Sequence, residues 1–190
     1  MGMDFDGTSL GGTLLVAMPS IRDETFRSAV VLVCAHSADG AMGVVVNRPA
    51  PLSTYATLNK RLAAALPILR VGALHEGGPA ERQRCFVLHP PSYRDGSRTI
   101  VVDRHHALTS TRRVLRDIAT GMGPDTRIAA LGYAGWGAGQ LERELRDNAW
   151  LTVPADPDLT YRTDDGDKWR RAIRMIGIVP ETLSGVSGTA

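Results

Sequence analysis

The sequence predicts an α+β fold: one domain with a largely antiparallel β-sheet and interspersed helices. Three observations carry this. Short apolar runs bounded by Pro, Gly and Asp gather early in the chain, and two of them are joined by an Asp-Gly turn. Helical periodicities are interspersed without the strict strand–helix–strand alternation that builds a doubly wound parallel sheet. The 190 residues are enough for one domain with a substantial core, and 43% apolar with 22% charged residues is ordinary for a soluble globular protein.

Thr13 to Met18 is an apolar run stopped by Pro19 and reads as a buried strand. Ser20 to Phe26 is a turn or one helical turn. Ala29 to Ala35 and Ala41 to Asn47 are two strands of a β-hairpin across His36–Gly40, and Gly43 inside the return strand marks a bulge or a close neighbour. Pro49 ends the pair because it has no N–H to give a ladder. Ser53 caps a predicted helix to about Leu66, with Leu58, Leu62 and Leu66 in line and Pro67 at its end. Val71–Leu74, Cys85–His89 and Thr99–Asp103 read as strands. Thr109 or Ser110 caps a helix to about Thr120, closed by Gly121. Arg127–Tyr133 is a buried strand feeding a glycine loop and a helix over Gly139–Trp150, and Thr152–Thr163 reads as a loop. Asp167 caps the last helix, which turns Trp169, Ala172, Ile173 and Ile176 inward and ends at Gly177. Residues 1–11 and 184–190 read as a mobile leader and tail of the single domain, 1–190.

A formal net charge of +2 is too small for nucleic-acid or membrane binding by bulk electrostatics. The acidic, Gly-rich start lacks the basic region of a signal peptide, and the apolar runs are far short of the ~20 residues of a membrane span. The expected compartment is cytoplasmic. Cys34 and Cys85 both sit in apolar runs and read as buried thiols of a reducing compartment. The five histidines lack metal-ligand spacing, and no cofactor motif is present, so no metal or cofactor is expected.

The most distinctive stretch is GYAGWGAGQLERELRDNAW, Gly132 to Trp150. Four glycines (Gly132, Gly135, Gly137, Gly139) lead into a helix with Leu141, Leu145 and Ala149 on one face. Glu142 and Glu144 suit its first turn, and Glu142 can reach Arg146. Trp150 reads as a core anchor. Trp136, flanked by glycines and without a periodic apolar partner, reads as an exposed anchor for an interface.

Four blocks, LLVAMPSIRD, AVVLVCAHSADGAMGVVVNRP, EGGPAERQRCFVLH and GYAGWGAGQLERELRDNAWL, resemble in order and spacing the YqgE/AlgH family of bacterial proteins, over about Leu10 to Gly177. The resemblance implies an α+β domain whose mainly antiparallel, bifurcated β-sheet folds into a pseudo-barrel with flanking helices. It also implies a role labelled transcriptional regulation, and it carries no catalytic residues. The family often ends near Gly-His-Ala, where this chain has Gly188-Thr189-Ala190.

Candidate binding residues fall in three places. Gly135, Trp136, Gly137, Gly139, Gln140 and Glu142 form a predicted binding surface for an unknown protein or small polar ligand, against a competing reading as packing. Phosphate is disfavoured there, since Glu142 and Glu144 repel it and no P-loop lysine follows. Asn47 and Arg48 put a guanidinium fork at a strand end, either for a ligand or to hold the hairpin end to an acidic neighbour. Gly77 and Gly78 form a turn that either offers backbone donors or only bends the chain. Arg112, Arg113 and Arg116 make a basic helix face, but a strand follows where a helix-turn-helix needs its recognition helix, so there is no strong nucleic-acid signature. A small enzyme using Cys and His near the glycine loop, and direct DNA binding, stand as alternatives.

Overall fold

The computed structural model describes residues 9–54 and 74–183. Among the described residues nine strands form one curled sheet: β1 (Thr13–Ala17), β2 (Val30–Ser37), β3 (Gly40–Val45), β4 (Leu74–Glu76), β5 (Ala80–His89), β6 (Thr99–Val101), β7 (Ala107–Thr109), β8 (Ile128–Gly137) and β9 (Trp150–Pro154). The order is β6-β7-β5-β8-β3-β2-β1-β9, with β4 off this path against β8. Every pairing is antiparallel except β4 with β8. Flanking helices are α1 (Arg112–Ala119), α2 (Gln140–Arg146), α3 (Pro157–Tyr161), α4 (Asp165–Met175) and α5 (Pro180–Leu183).

β8 is the spine. Its first half pairs with β4 and β5, through Ala129–Leu131 and Ile128–Leu131. Its second half pairs with β3, through Ala134 to Gly137. β3 and β4 thus follow one another along β8, joined where Val45 N–H donates to Gly77 O, and this forks the sheet. At the fork Gly132 is left-handed (φ 72°), and a Cβ there would meet the carbonyls of Gly78 and Ala80. The kink reverses the alternation of β8. Ile128 and Ala130 face the inner core, whereas Ala134 and Trp136 face the outer one.

That inner core is built from Leu14, Val16, Leu32, Val44, Phe86, Leu88, Leu108 and Val153, and is closed by Leu159 of α3 and Ala172 and Ile173 of α4. The outer core sets Leu15, Val31, Val33 and Val45 against Leu141 and Leu145 of α2, with Trp136 and Trp150. Both faces of β1–β3 are therefore buried, which is why these strands read as continuous apolar runs rather than alternating ones.

Several boundaries differ from the sequence expectation. The hairpin forms with Ser37 opposite Gly40, and the bulge falls at Cys34, facing Gly43. The helix after the glycines stops at Arg146. Asn148 then takes a left-handed conformation (φ 55°), and Trp150–Pro154 is not a helix end and loop but strand β9, paired along all of β1. Pro154 is tolerated because β9 is an edge strand. Thr109 lies in β7, and the cap of α1 is Thr111, whose hydroxyl accepts from Val114 N–H. The cap of α4 is Asp164 rather than Asp167. Residues 52–54 are helical, while Leu58, Leu62, Leu66 and Val71 lie outside the described residues.

Candidate functional site

The predicted binding residues separate into two places. Asn47, Arg48, Gly77 and Gly78 gather at the end of β3. There Asn47 Oδ1 accepts from Val30 N–H at 2.8 Å and Nδ2 donates to Ser28 O at 2.9 Å. The Arg48 guanidinium donates to the carbonyls of Glu24 and Arg27, so it holds the hairpin end to backbone rather than to a carboxylate. Gly77 N–H donates to Leu131 O, and a Cβ on Gly78 would strike Tyr133. These two glycines are buried where strands cross closely. Arg48 and Gly78 also border a polar cleft of about 240 Å³ with Glu24, Thr25, Glu76 and Arg82.

The glycine-rich stretch is not a loop through Gly137. Gly135, Trp136 and Gly137 belong to β8, and the turn is Ala138-Gly139, with Gly139 left-handed ahead of α2. Trp136 is buried (7% exposed), which overturns its expected exposure. Its partner is not periodic in sequence. The ring meets Trp150 edge-to-face at 6.1 Å, and both indole N–H groups donate to Glu144 Oε2, at 2.9 and 2.8 Å. Gln140 completes the knot, with Oε1 accepting from Gly137 N–H and Nε2 donating to Glu144 Oε1. Glu142 turns to His36 instead of Arg146. His36 Nδ1 accepts from Leu10 N–H, so the ring proton sits on Nε2 and donates to Glu142 at 2.8 Å. A hydrogen bond from its own backbone N–H, with His36 adding to it, holds the Glu142 carboxyl below its ordinary value.

Beside this knot lies an open trough of about 470 Å³ at the mouth of the half-barrel. Ala35, Met42 and Gly135 stand in register across β2, β3 and β8. With Tyr133 they form a floor of small or apolar groups, and His36, Ser37 and Asp39 stand along one side. Gly135 and Ala35 are exposed, and Met42 and Tyr133 are half-buried. Sequence reasoning found Gly135 but missed Ala35, Met42 and Tyr133. The bulge at Cys34 and the kink at Gly132 decide which way those residues point.

The rings of His36, His75, His89 and His106 carry internal hydrogen bonds. His106 is fully buried, bonded through Nδ1 to Asp103 at 2.8 Å and through Nε2 to Thr160 Oγ1 at 3.1 Å, and stacked on Tyr161. This is an acid–imidazole–hydroxyl row, but Thr160 has no exposed surface for a substrate to reach. It ties the β6–β7 connection to α3. His89 bonds the Pro90 carbonyl and Thr109 Oγ1. Burial pushes both thiols, Cys34 and Cys85, up to about 12, which keeps them protonated and poor nucleophiles. Neither is in a disulfide. Among the described residues no group of three or more His, Cys, Asp and Glu could hold a metal ion.

Residues 14–181 match a family model described as AlgH-like. The chain belongs to the AlgH-like family. Its AlgH-like relatives include a UPF0301 protein of Cereibacter sphaeroides, 45% identical over 182 residues that cover 95% of this chain and 99% of that one. Another, a UPF0301 protein of Methylobacterium nodulans, is 48% identical over 190 residues, covering 95% and 90%. Among solved structures, the solution structure of the AlgH protein from Pseudomonas aeruginosa is similar over 100% of both chains, with TM-score 0.76 and 38% identity. The crystal structure of protein DIP2367 from Corynebacterium diphtheriae shares the fold, with TM-score 0.69 and 20% identity over 98% and 95%.

Proposed function

We propose that this AlgH-like protein is a cytoplasmic regulatory binding protein, and that the trough at the barrel mouth receives a partner protein. The observation that carries the reading is the floor of the trough. Ala35, Met42 and Gly135 are aligned across three strands, the Tyr133 ring lies beside Gly135, and polar residues stand at their edge. An apolar centre with a polar rim is the anatomy of a protein interface. The rim is pre-set, since His36 is pinned between Leu10 and Glu142 and loses little freedom on binding.

Action through duplex DNA has less support. Arg113 is engaged with Asp95 and Asp117, and α1 leads into β8 rather than into a recognition helix. Among the described residues no helix is long and apolar enough to cross a membrane.

The test is Ala35→Glu, which places a charge on the exposed floor without touching either core. The melting temperature is expected to stay within a few degrees of wild type, while complementation of a deletion strain and recovery of partner in a pull-down are lost. A folded Ala35→Glu protein that complements fully would overturn the reading.

A further inference from the structure

Helix α4 has two unlike faces. Lys168, Trp169, Ala172, Ile173 and Ile176 turn toward the sheet, and even the Lys168 ammonium is used internally, donating to Val46 O and Asp165 Oδ1. The opposite arc carries Asp167, Arg170, Arg171 and Arg174. With Thr163 they line a cleft of about 370 Å³, well apart in sequence from the trough residues.

Arg84, Arg113 and Arg162 each have a carboxylate within ion-pair distance. Among the described residues Arg170, Arg171 and Arg174 have none, although Asp167 lies three and four positions before two of them. Other arginines, Arg112 and Arg116 among them, also lack an ion pair among the described residues, and what marks this cluster is three such groups lining one cleft. Arg170 and Arg174 are spaced i,i+4, an arrangement of like charges that disfavours a helix unless an anion offsets it. One guanidinium is already placed. Arg171 donates to Thr163 Oγ1 at 2.8 Å, and that hydroxyl spends its own proton on Asp158 O. Three guanidinium groups against one carboxylate leave the cleft an excess of two positive charges. Guanidinium forks match the oxygens of a phosphate, whose charge near neutral pH is about −2.

We propose that this cleft is a binding site for a small phosphate-bearing molecule, held by Arg170, Arg171 and Arg174. The volume suits a small ligand rather than a macromolecular surface.

Calorimetric titration of the full chain with pyrophosphate tests it, with citrate as the carboxylate arm. Saturable one-to-one binding is expected, weakened about tenfold or more by Arg170→Gln and by Arg174→Gln. Thr163→Val, which changes no charge, is expected to weaken it through the loss of Arg171 positioning. Arg112→Gln, an exposed arginine on α1, is the charge-matched control and should leave binding unchanged. Absence of saturation at millimolar pyrophosphate overturns the proposal. Equal losses from Arg112→Gln and Arg174→Gln would also overturn it, by showing diffuse electrostatics. Citrate binding as tightly as pyrophosphate would overturn the phosphate assignment. All these positions except Thr163 are exposed side chains, so the variants are expected to fold, and a retained melting temperature checks this.

Discussion

Glu144 of α2 is an internal acceptor. One carboxylate receives two indole N–H groups and the Gln140 amide, and so locks α2 onto β8 and β9. Hydrogen bonds to a charged acceptor contribute about 1.5–3 kcal/mol each. Glu144→Ala is therefore expected to cost about 2–4 kcal/mol in urea unfolding. Glu144→Gln should cost less, because an amide oxygen still accepts from an indole. Trp136→Ala and Trp150→Ala are expected to cost about 3–5 kcal/mol each, as large core truncations do. A loss within about 0.5 kcal/mol for Trp136→Ala would return it to the surface as an interface residue. Gln140→Ala, a near-neutral change on an exposed helix start, should here cost about 1 kcal/mol or more, because both ends of the side chain are bonded.

At the scale of elements, the sequence was legible where local chemistry decides structure. The β2–β3 hairpin followed from its apolar runs and the Asp39-Gly40 pair, although the two turn residues are Ala38 and Asp39, and Gly121 and Gly177 close α1 and α4 in left-handed conformations. It was illegible where tertiary pairing decides. Trp150–Pro154 became a strand because β1 offers an edge, which nothing local signals. Glu81–Arg84 is polar and exposed, so the strand lacks an apolar pattern where it begins. The orientation of Gly135 and Trp136 depended on the kink at Gly132, five residues upstream of the end of β8. The kink gives a paired prediction. Gly132→Ala meets both a left-handed φ and the carbonyls of Gly78 and Ala80, so it should destabilise by well over 1 kcal/mol. Gly166→Ala, in the first turn of α4 with nothing within 4 Å of the new Cβ, should stabilise by about 0.5–1 kcal/mol. Thermal melts of the two variants should move in opposite directions, and a shared direction would contradict this account of the fork.

For the whole molecule, α4 is fastened to the sheet by charge as well as by Ala172 and Ile173. Asp165 receives His75 Nε2 from β4 at 3.0 Å and Lys168 Nζ at 2.9 Å, and Lys168 reaches on to Val46 O beyond β3. Burial pushes the Asp165 carboxyl up, but the hydrogen bonds from His75 and Lys168 outweigh it and hold the carboxyl below its ordinary value. The unfolded chain then takes up that proton first as pH falls, so the contribution to stability is present above about pH 4 and is lost as pH falls through the lower folded value. His89 works in a higher window. Burial lowers its pKa despite the Pro90 carbonyl, so its contribution is present above about pH 6.5 and is lost as pH falls toward the lower folded value. The wild-type melting temperature should therefore decline in two stages on acidification, and a flat profile from pH 7.5 to 5.5 would count against the His89 stage. Asp165→Asn separates the other stage. At pH 7 it should cost about 1–3 kcal/mol, since Lys168 stays buried with a neutral partner. Below pH 4 the variant should lose less further stability than wild type, because the proton that opens the wild-type clamp has no carboxylate to bind. Melting curves that run parallel for the two proteins between pH 5 and 3 would show that the clamp is not the acid-sensitive joint between α4 and the sheet.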